Sequence, residues 1–171
     1  MEISKNQTKE WRKSQLWYIT GKSNECEKFQ KLNIESLTRK KLNLTYDRIN
    51  IENSTVVECR CPLKNKNGFE FTENFDGVQF TNCKKLYYNL KFVCDSGGAQ
   101  TRTLRETYHF IKHQIIISNS TPNTYYINIL DGDSCHSSKN KFEYLLEKEQ
   151  NKNVFIGDTV EFYSWYKNTF N

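Results

Sequence analysis

The chain has 171 residues, 36% of them hydrophobic and 14% aromatic, so a single domain can bury a core without disulfide or metal staples. Its formal net charge of +5 is mild and favours an anionic partner. No run of about 18 apolar residues is present, which excludes a helical membrane span.

The six cysteines, Cys26, Cys59, Cys61, Cys83, Cys94 and Cys135, are scattered, and residues 1–15 are mostly polar and unlike a signal peptide. The thiols are therefore expected to be reduced and the protein cytoplasmic. Asn-x-Ser/Thr sequons at Asn6, Asn43, Asn53 and Asn119 follow from an Asn-rich composition rather than from glycosylation.

In chain order, residues 1–23 combine charge with Trp11, Trp17 and Tyr18, and read as an arm docked on the fold rather than a base-stacking platform. A helix is predicted over 24–42, with Asn24 as N-cap and Glu27 three places on, as in a capping box. A strand is predicted over Ser54 to Cys59, ended by Pro62. Cys59-x-Cys61 lacks a second ligand pair at zinc spacing. Asn65 to Gly68 is a turn leading into Phe69-Glu-Phe-Thr.

The next stretch, Glu73 to Glu106, carries the chemistry. Val78 to Thr81 and Leu86 to Val93 hold the β-branched and aromatic residues of two strands, joined by the polar run Asn82 to Lys85. A turn centred between Cys83 and Lys84 sets Asp76 opposite Lys91. Alternation then puts Tyr87, Asn89, Lys91 and Asp95 on a polar, equipped face, and Leu86, Tyr88, Leu90, Phe92 and Cys94 on an apolar one.

Asp95-Ser-Gly-Gly breaks the strand, and a helix follows over about 100–117. Leu104, Tyr108, Ile111 and Ile115 form one apolar face of it, with Phe110 and Ile117 widening the arc. Tyr125 to Leu130 reads as a strand buried on both faces. Lys141 to Lys148 is a short helix, Val154 to Ile156 a short strand, and Val160 to Tyr166 an aromatic-rich helix. From residue 69 onward the order implies an α/β fold: a central mixed sheet, an antiparallel hairpin followed by parallel crossover strands, flanked by helices. The chain is read as one domain, with a helix-and-strand segment over 1–65 and a core over 66–171.

An Asp before one hairpin strand, an x-x-Lys on the next, and a helix with a strand behind it resemble the core of the PD-(D/E)XK nuclease superfamily, in particular type II restriction endonucleases. The resemblance covers residues 69–168 and implies a restriction endonuclease-like fold. Phe75-Asp76-Gly77 stands where the family has its metal-binding Asp, and Asn89-Leu90-Lys91 where it has (D/E)-x-K. Asn89 departs from the pattern, being neutral where an acid is usual. Some restriction enzymes carry the missing carboxylate on the following helix, which makes Glu106 the candidate, with Glu73 and Asp95 as substitutes.

The resemblance implies Mg²⁺ held by Asp76 and Glu106, and Lys91 orienting the attacking water or offsetting charge on the phosphate. Gly97-Gly98 before a helix N-terminus, with Arg102 and Arg105 on the first turns, suits a DNA phosphate. The implied activity is Mg²⁺-dependent hydrolysis of double-stranded DNA by a homodimer on a palindromic site. A binding protein that has lost catalysis is the alternative.

The bland readings are a cross-strand ion pair for Asp76 and Lys91, a solvated acid for Glu106, solvated arginines, and surface histidines for His109 and His113. Ile127 to Ser134, INILDGDS, also resembles the first motif of haloacid-dehalogenase phosphatases, with FIGD at 155–158 as a late metal motif. About 25 residues between the two are too few for that fold.

Overall fold

A computed structural model describes residues 4–149 and 153–170, so the first three residues of the N-terminal arm lie outside the description. A single 3₁₀ turn at Lys5–Gln7 leads into α1 (Lys9–Lys13) and α2 (Ser23–Thr38). Three short strands follow, β1 (Asp47–Asn50), β2 (Thr55–Glu58) and β3 (Thr72–Asn74), forming an antiparallel sheet in the order β2-β1-β3. The main sheet comprises β4 (Gly77–Thr81), β5 (Lys84–Phe92), β6 (Thr124–Asp131) and β7 (Val154–Gly157), in that order. α3 (Gly98–Ser118), α4 (Asp133–Ser137), α5 (Lys139–Glu149) and α6 (Thr159–Phe170) complete the chain.

The α/β architecture expected from the order of elements is present: β4 and β5 are antiparallel, and β5, β6 and β7 run parallel through helical crossovers. Each face of the sheet is covered. Tyr87, Tyr126, Val78 and Val154 pack with Phe75, Phe110 and Ile111 on the α3 and α5 side. Leu86, Tyr88, Ile127 and Ile129 pack with Ile34, Phe162 and Tyr166 on the α2 and α6 side. That double coverage explains the apolar run of β6, interrupted only by Asn128, since these parallel strands have no solvent face.

The hairpin corrects the expected register. Its turn is the two-residue Asn82-Cys83, both at positive φ (47° and 60°), as in the type I′ turns whose twist matches flanking strands. Register follows from it: Thr81 pairs with Lys84 and Gly77 with Tyr88, so Asp76 aligns with Asn89 and not with Lys91. Because the slip is two residues, each side chain keeps its face. The equipped face is covered over part of its length: Tyr87 and Asn89 are both buried.

The N-terminal arm docks as expected. Trp17 stacks on Phe29 of α2 at 4.8 Å between ring centroids, Trp11 lies 5.4 Å from Phe29, and Phe29 meets Phe92 at 6.4 Å. Asn24 is not the N-cap of α2, since the helix already includes Ser23 and its cap position, Lys22, makes no side-chain capping bond.

Candidate functional site

Asp76 sits where β4 separates from β5. Its amide still donates to the Tyr88 carbonyl at 2.8 Å, but the following ladder position is filled by its own side chain, whose Oδ2 accepts the Leu90 N–H at 2.7 Å. The strand end thus holds the carboxylate in the plane of the sheet, beside Lys91. Lys91 Nζ lies 3.9 Å from Oδ2, an ion-pair distance too long for a hydrogen bond. Removal from water outweighs the attraction of Lys91 and the Leu90 amide, and the Asp76 carboxyl is pushed above its ordinary pKa.

Lys91 also joins a second group of acids. Glu73, on β3, has its carboxyl pushed up first by loss of solvation and then by Glu106 and Glu70, against the opposing pull of Arg48 and Lys91. Arg48 is itself spent on β3, donating through Nε to Thr72 Oγ1 at 3.1 Å and through Nη2 to the Thr72 carbonyl at 2.9 Å. Lys91 thus pairs with Asp76 and also bears on the charge of Glu73, while Glu73 and Glu106 are both exposed. Among the described residues, no three His, Cys, Asp or Glu side chains stand ready to enclose a metal ion.

Asn89 is not poised for chemistry. It is 2% exposed, and its Nδ2 donates to Asn128 Oδ1 at 2.9 Å. Asn128 in turn exchanges bonds with Gln114 of α3, at 3.0 Å and 2.7 Å, and donates to the Phe155 carbonyl at 3.1 Å. These amides form a buried ladder from β5 through β6 to α3 and β7. A neutral amide both donates and accepts, whereas a carboxylate there loses the donor and buries a charge. Asn89→Glu is expected to cost about 2–3 kcal/mol in urea unfolding, without creating a usable ligand.

The remaining expected residues separate. Asp95 pairs with Lys9 and, at 3.0 Å, with Arg12, so it anchors the N-terminal arm and its carboxyl is held below the ordinary range, mainly by the Lys9 hydrogen bond. Arg102 and Arg105 lie exposed on the first turns of α3, open to a phosphate. His113 shares a 2.8 Å hydrogen bond with Ser54, while His109 is exposed. Asp131, the nucleophile of the phosphatase resemblance, is buried and accepts from Thr159 N (2.9 Å), Thr159 Oγ1 (2.6 Å) and Gln30 Nε2 (2.8 Å), which fits a structural carboxyl and not a nucleophile.

No family model matches this chain, and no curated protein or solved structure is significantly similar to it.

Two residues at the site carried no functional signal in sequence. Beyond the end of β5 lies an open cavity of about 430 Å³, walled by Lys91, by Glu27 and Gln30 of α2, by Arg12 of the arm, and by Gln100 and Thr103 of α3. Glu27, paired with Lys31 at 2.7 Å, also bears on the Asp76 charge. Its position three residues after Asn24 suggested a cap. Only the packing of α2 against β5 sets it in the same cavity wall as Lys91, and i, i+3 spacing does not report that placement.

Proposed function

We propose that the protein is a Mg²⁺-dependent endonuclease hydrolysing phosphodiester bonds of double-stranded DNA, related to the PD-(D/E)XK nucleases that its hairpin resembles. One observation carries the reading: a carboxyl fixed at a strand end by a backbone N–H, destabilised as an anion, beside an ammonium that does not hydrogen-bond to it. Such a carboxyl is held for a cation rather than for Lys91.

The donors fit Mg²⁺. Asp76, Glu73 and Glu106 offer only oxygen, the preference of a hard cation that keeps several waters and needs one or two carboxylates. Among the described residues, Asp76 Oδ1 makes no hydrogen bond and is left for a further partner. The raised carboxyls of Asp76 and Glu73 are also relieved by a positive ion. Bound there, Mg²⁺ supplies Lewis-acid polarisation of the phosphate and acidification of water. Lys91, about one-third exposed, reaches the solvent side, where its ammonium holds the attacking water or offsets negative charge on the phosphate. Arg102 and Arg105 then contact the duplex backbone.

A cleavage assay on mixed-sequence plasmid DNA, with and without Mg²⁺, tests the reading. Lys91→Ala is expected to lower turnover by about 10²-fold while the fold holds. A steep fall in melting temperature would instead make Lys91 a structural partner of Asp76. The other reading is a binding protein without catalysis, favoured by the commitment of Asn89 to the amide ladder. DNA binding without Mg²⁺-dependent nicking selects it.

A further inference from the structure

On the face of the sheet opposite α3, an open groove of about 990 Å³ runs between α2 and α6 down to the β4–β5 turn. Three cations stand along it, Arg39 and Lys40 at the end of α2 and Lys167 on α6, and none of its described lining residues is acidic. Arg39 and Lys167 are exposed and enter no salt bridge among the described residues. Lys40 donates to the Phe80 carbonyl at 2.9 Å, a neutral acceptor that leaves its charge uncompensated. The acids next to the groove in sequence are engaged elsewhere: Glu35 with Lys41 at 3.7 Å, Glu161 with Lys139, and Asp158 with the Glu161 N–H at 2.8 Å. Uncompensated cations gathered in a concave wall focus a positive potential and draw an anionic partner.

The groove also offers exposed ring surface. Val160, Tyr163 and Lys167 fall at i, i+3 and i+7 on one stripe of α6, while Phe162 and Tyr166 turn into the core. Tyr163 is 43% exposed even with Lys167 Nζ 4.2 Å from its ring centroid. A basic groove with an open aromatic ring is the combination that holds single strands, phosphates on the cations and a base on the ring.

We propose that this groove binds single-stranded DNA, with a base stacked on Tyr163 and phosphates on Arg39, Lys40 and Lys167. The choice of DNA rests on the nuclease reading above, but the groove is a separate surface, since Asp76, Lys91, Glu73 and Glu106 do not line it. Packed helices stand about 8–10 Å apart, too close to admit between them a duplex, whose major groove alone is about 12 Å wide. α6 runs twelve residues along the groove, about 18 Å at 1.5 Å each, which spans about five nucleotides at 3.4 Å spacing. Asn82 Nδ2 donates to the Phe170 carbonyl at 3.1 Å and ties the turn to the end of α6. An acidic peptide would answer the cations but bring no planar partner for Tyr163.

The test is fluorescence anisotropy of a labelled ten-nucleotide oligothymidylate with the full chain in EDTA, so that no divalent cation bridges DNA to Asp76. Log affinity is expected to fall against log salt with a slope of about −2, three phosphate contacts at about 0.7 each. The double variant Arg39→Ala, Lys167→Ala should bring that slope to about −0.7. Tyr163→Ala should weaken binding about 10-fold, and Tyr163→Phe should keep it. All three side chains are exposed, so plasmid nicking in Mg²⁺ and the melting temperature should stay unchanged in these variants. Binding that survives the groove changes but is lost in Arg102→Ala, Arg105→Ala puts the strand on α3 and overturns the inference. Binding of oligouridylate in place of oligothymidylate overturns it as well. So does decaglutamate bound as tightly as the oligonucleotide, with no effect of Tyr163→Ala. No oligothymidylate binding with nicking intact sinks this inference and leaves the nuclease reading standing. Groove-dependent binding without nicking does the reverse.

Discussion

Asp76→Asn is expected to lower Mg²⁺-dependent cleavage by about 10³-fold while leaving the thermal midpoint of the metal-free protein unchanged or higher. The two halves of that result come from one geometry. Asparagine retains an oxygen for the Leu90 N–H, so the strand end stays closed. What disappears is a charge that burial makes costly and that Lys91, at 3.9 Å, compensates only in part. Binding of DNA in Ca²⁺ should survive, since an anion facing phosphate has gone. A variant that cleaves normally would end the nuclease proposal. One that melts much earlier would restore the plain ion pair.

The same residue gives a pH dependence of known sign. A carboxyl whose folded pKa lies above its unfolded value, about 4, keeps its proton longer in the native state. Its contribution to stability is full below the unfolded value and is lost as pH rises through the folded one. The Asp76→Asn protein lacks this loss, so the stability difference between variant and wild type should widen in favour of the variant as pH is raised from about 4. Mg²⁺ should reverse the trend in the wild type alone, because the ion binds the deprotonated carboxylate.

Much of the scaffold was legible because its elements depend on periodicity. α3 kept the apolar arc of Leu104, Tyr108, Ile111 and Ile115, and β6 the run, interrupted only by Asn128, that marks a strand covered on both sides. β1 was not foreseen: Asp47-Arg-Ile-Asn reads as polar, and only Ile49 of the four enters the core, so pairing with β2 and β3 makes the strand rather than propensity. The hairpin register escaped for a different reason. Cys83 at positive φ is a conformation few non-glycine residues take, and the polar run Asn82 to Lys85 set the expected centre one residue later, between Cys83 and Lys84. The nearness of Asp76 and Lys91 survived that error through the two-residue period of strands. Asp76 and Lys91 stay neighbours on one face whether directly opposite or diagonal. What periodicity did not reveal was tertiary: Gln30 reaches the Lys91 carbonyl and Glu27 the same cavity wall from a different element, and Asn89 finds its partner 39 residues away in Asn128, which Gln114 holds in turn.

Gly132→Ala is expected to cost about 4 kcal/mol or more, enough to unfold a marginal domain. Gly132 follows β6 with φ of +99°, and a methyl group there would stand 2.2 Å from the Val93 carbonyl oxygen, a backbone atom with no rotamer to yield. The close approach is needed because β5 and β6 are tied beyond their ends: Val93 N donates to the Asp131 carbonyl at 2.9 Å, and Ser134 N donates to the Val93 carbonyl at 3.1 Å. Those bonds hold α4 against Phe92 to Asp95, the segment that forms the floor of the cavity and anchors Arg12. Gly98 supplies the contrast: a methyl group there meets nothing within 4 Å, its φ is not in the left-handed region, and alanine should change stability by less than about 1 kcal/mol. Urea unfolding of the two variants side by side measures the difference. If Gly132→Ala were as mild as Gly98→Ala, the turn after β6 would not be what fixes the end of β5.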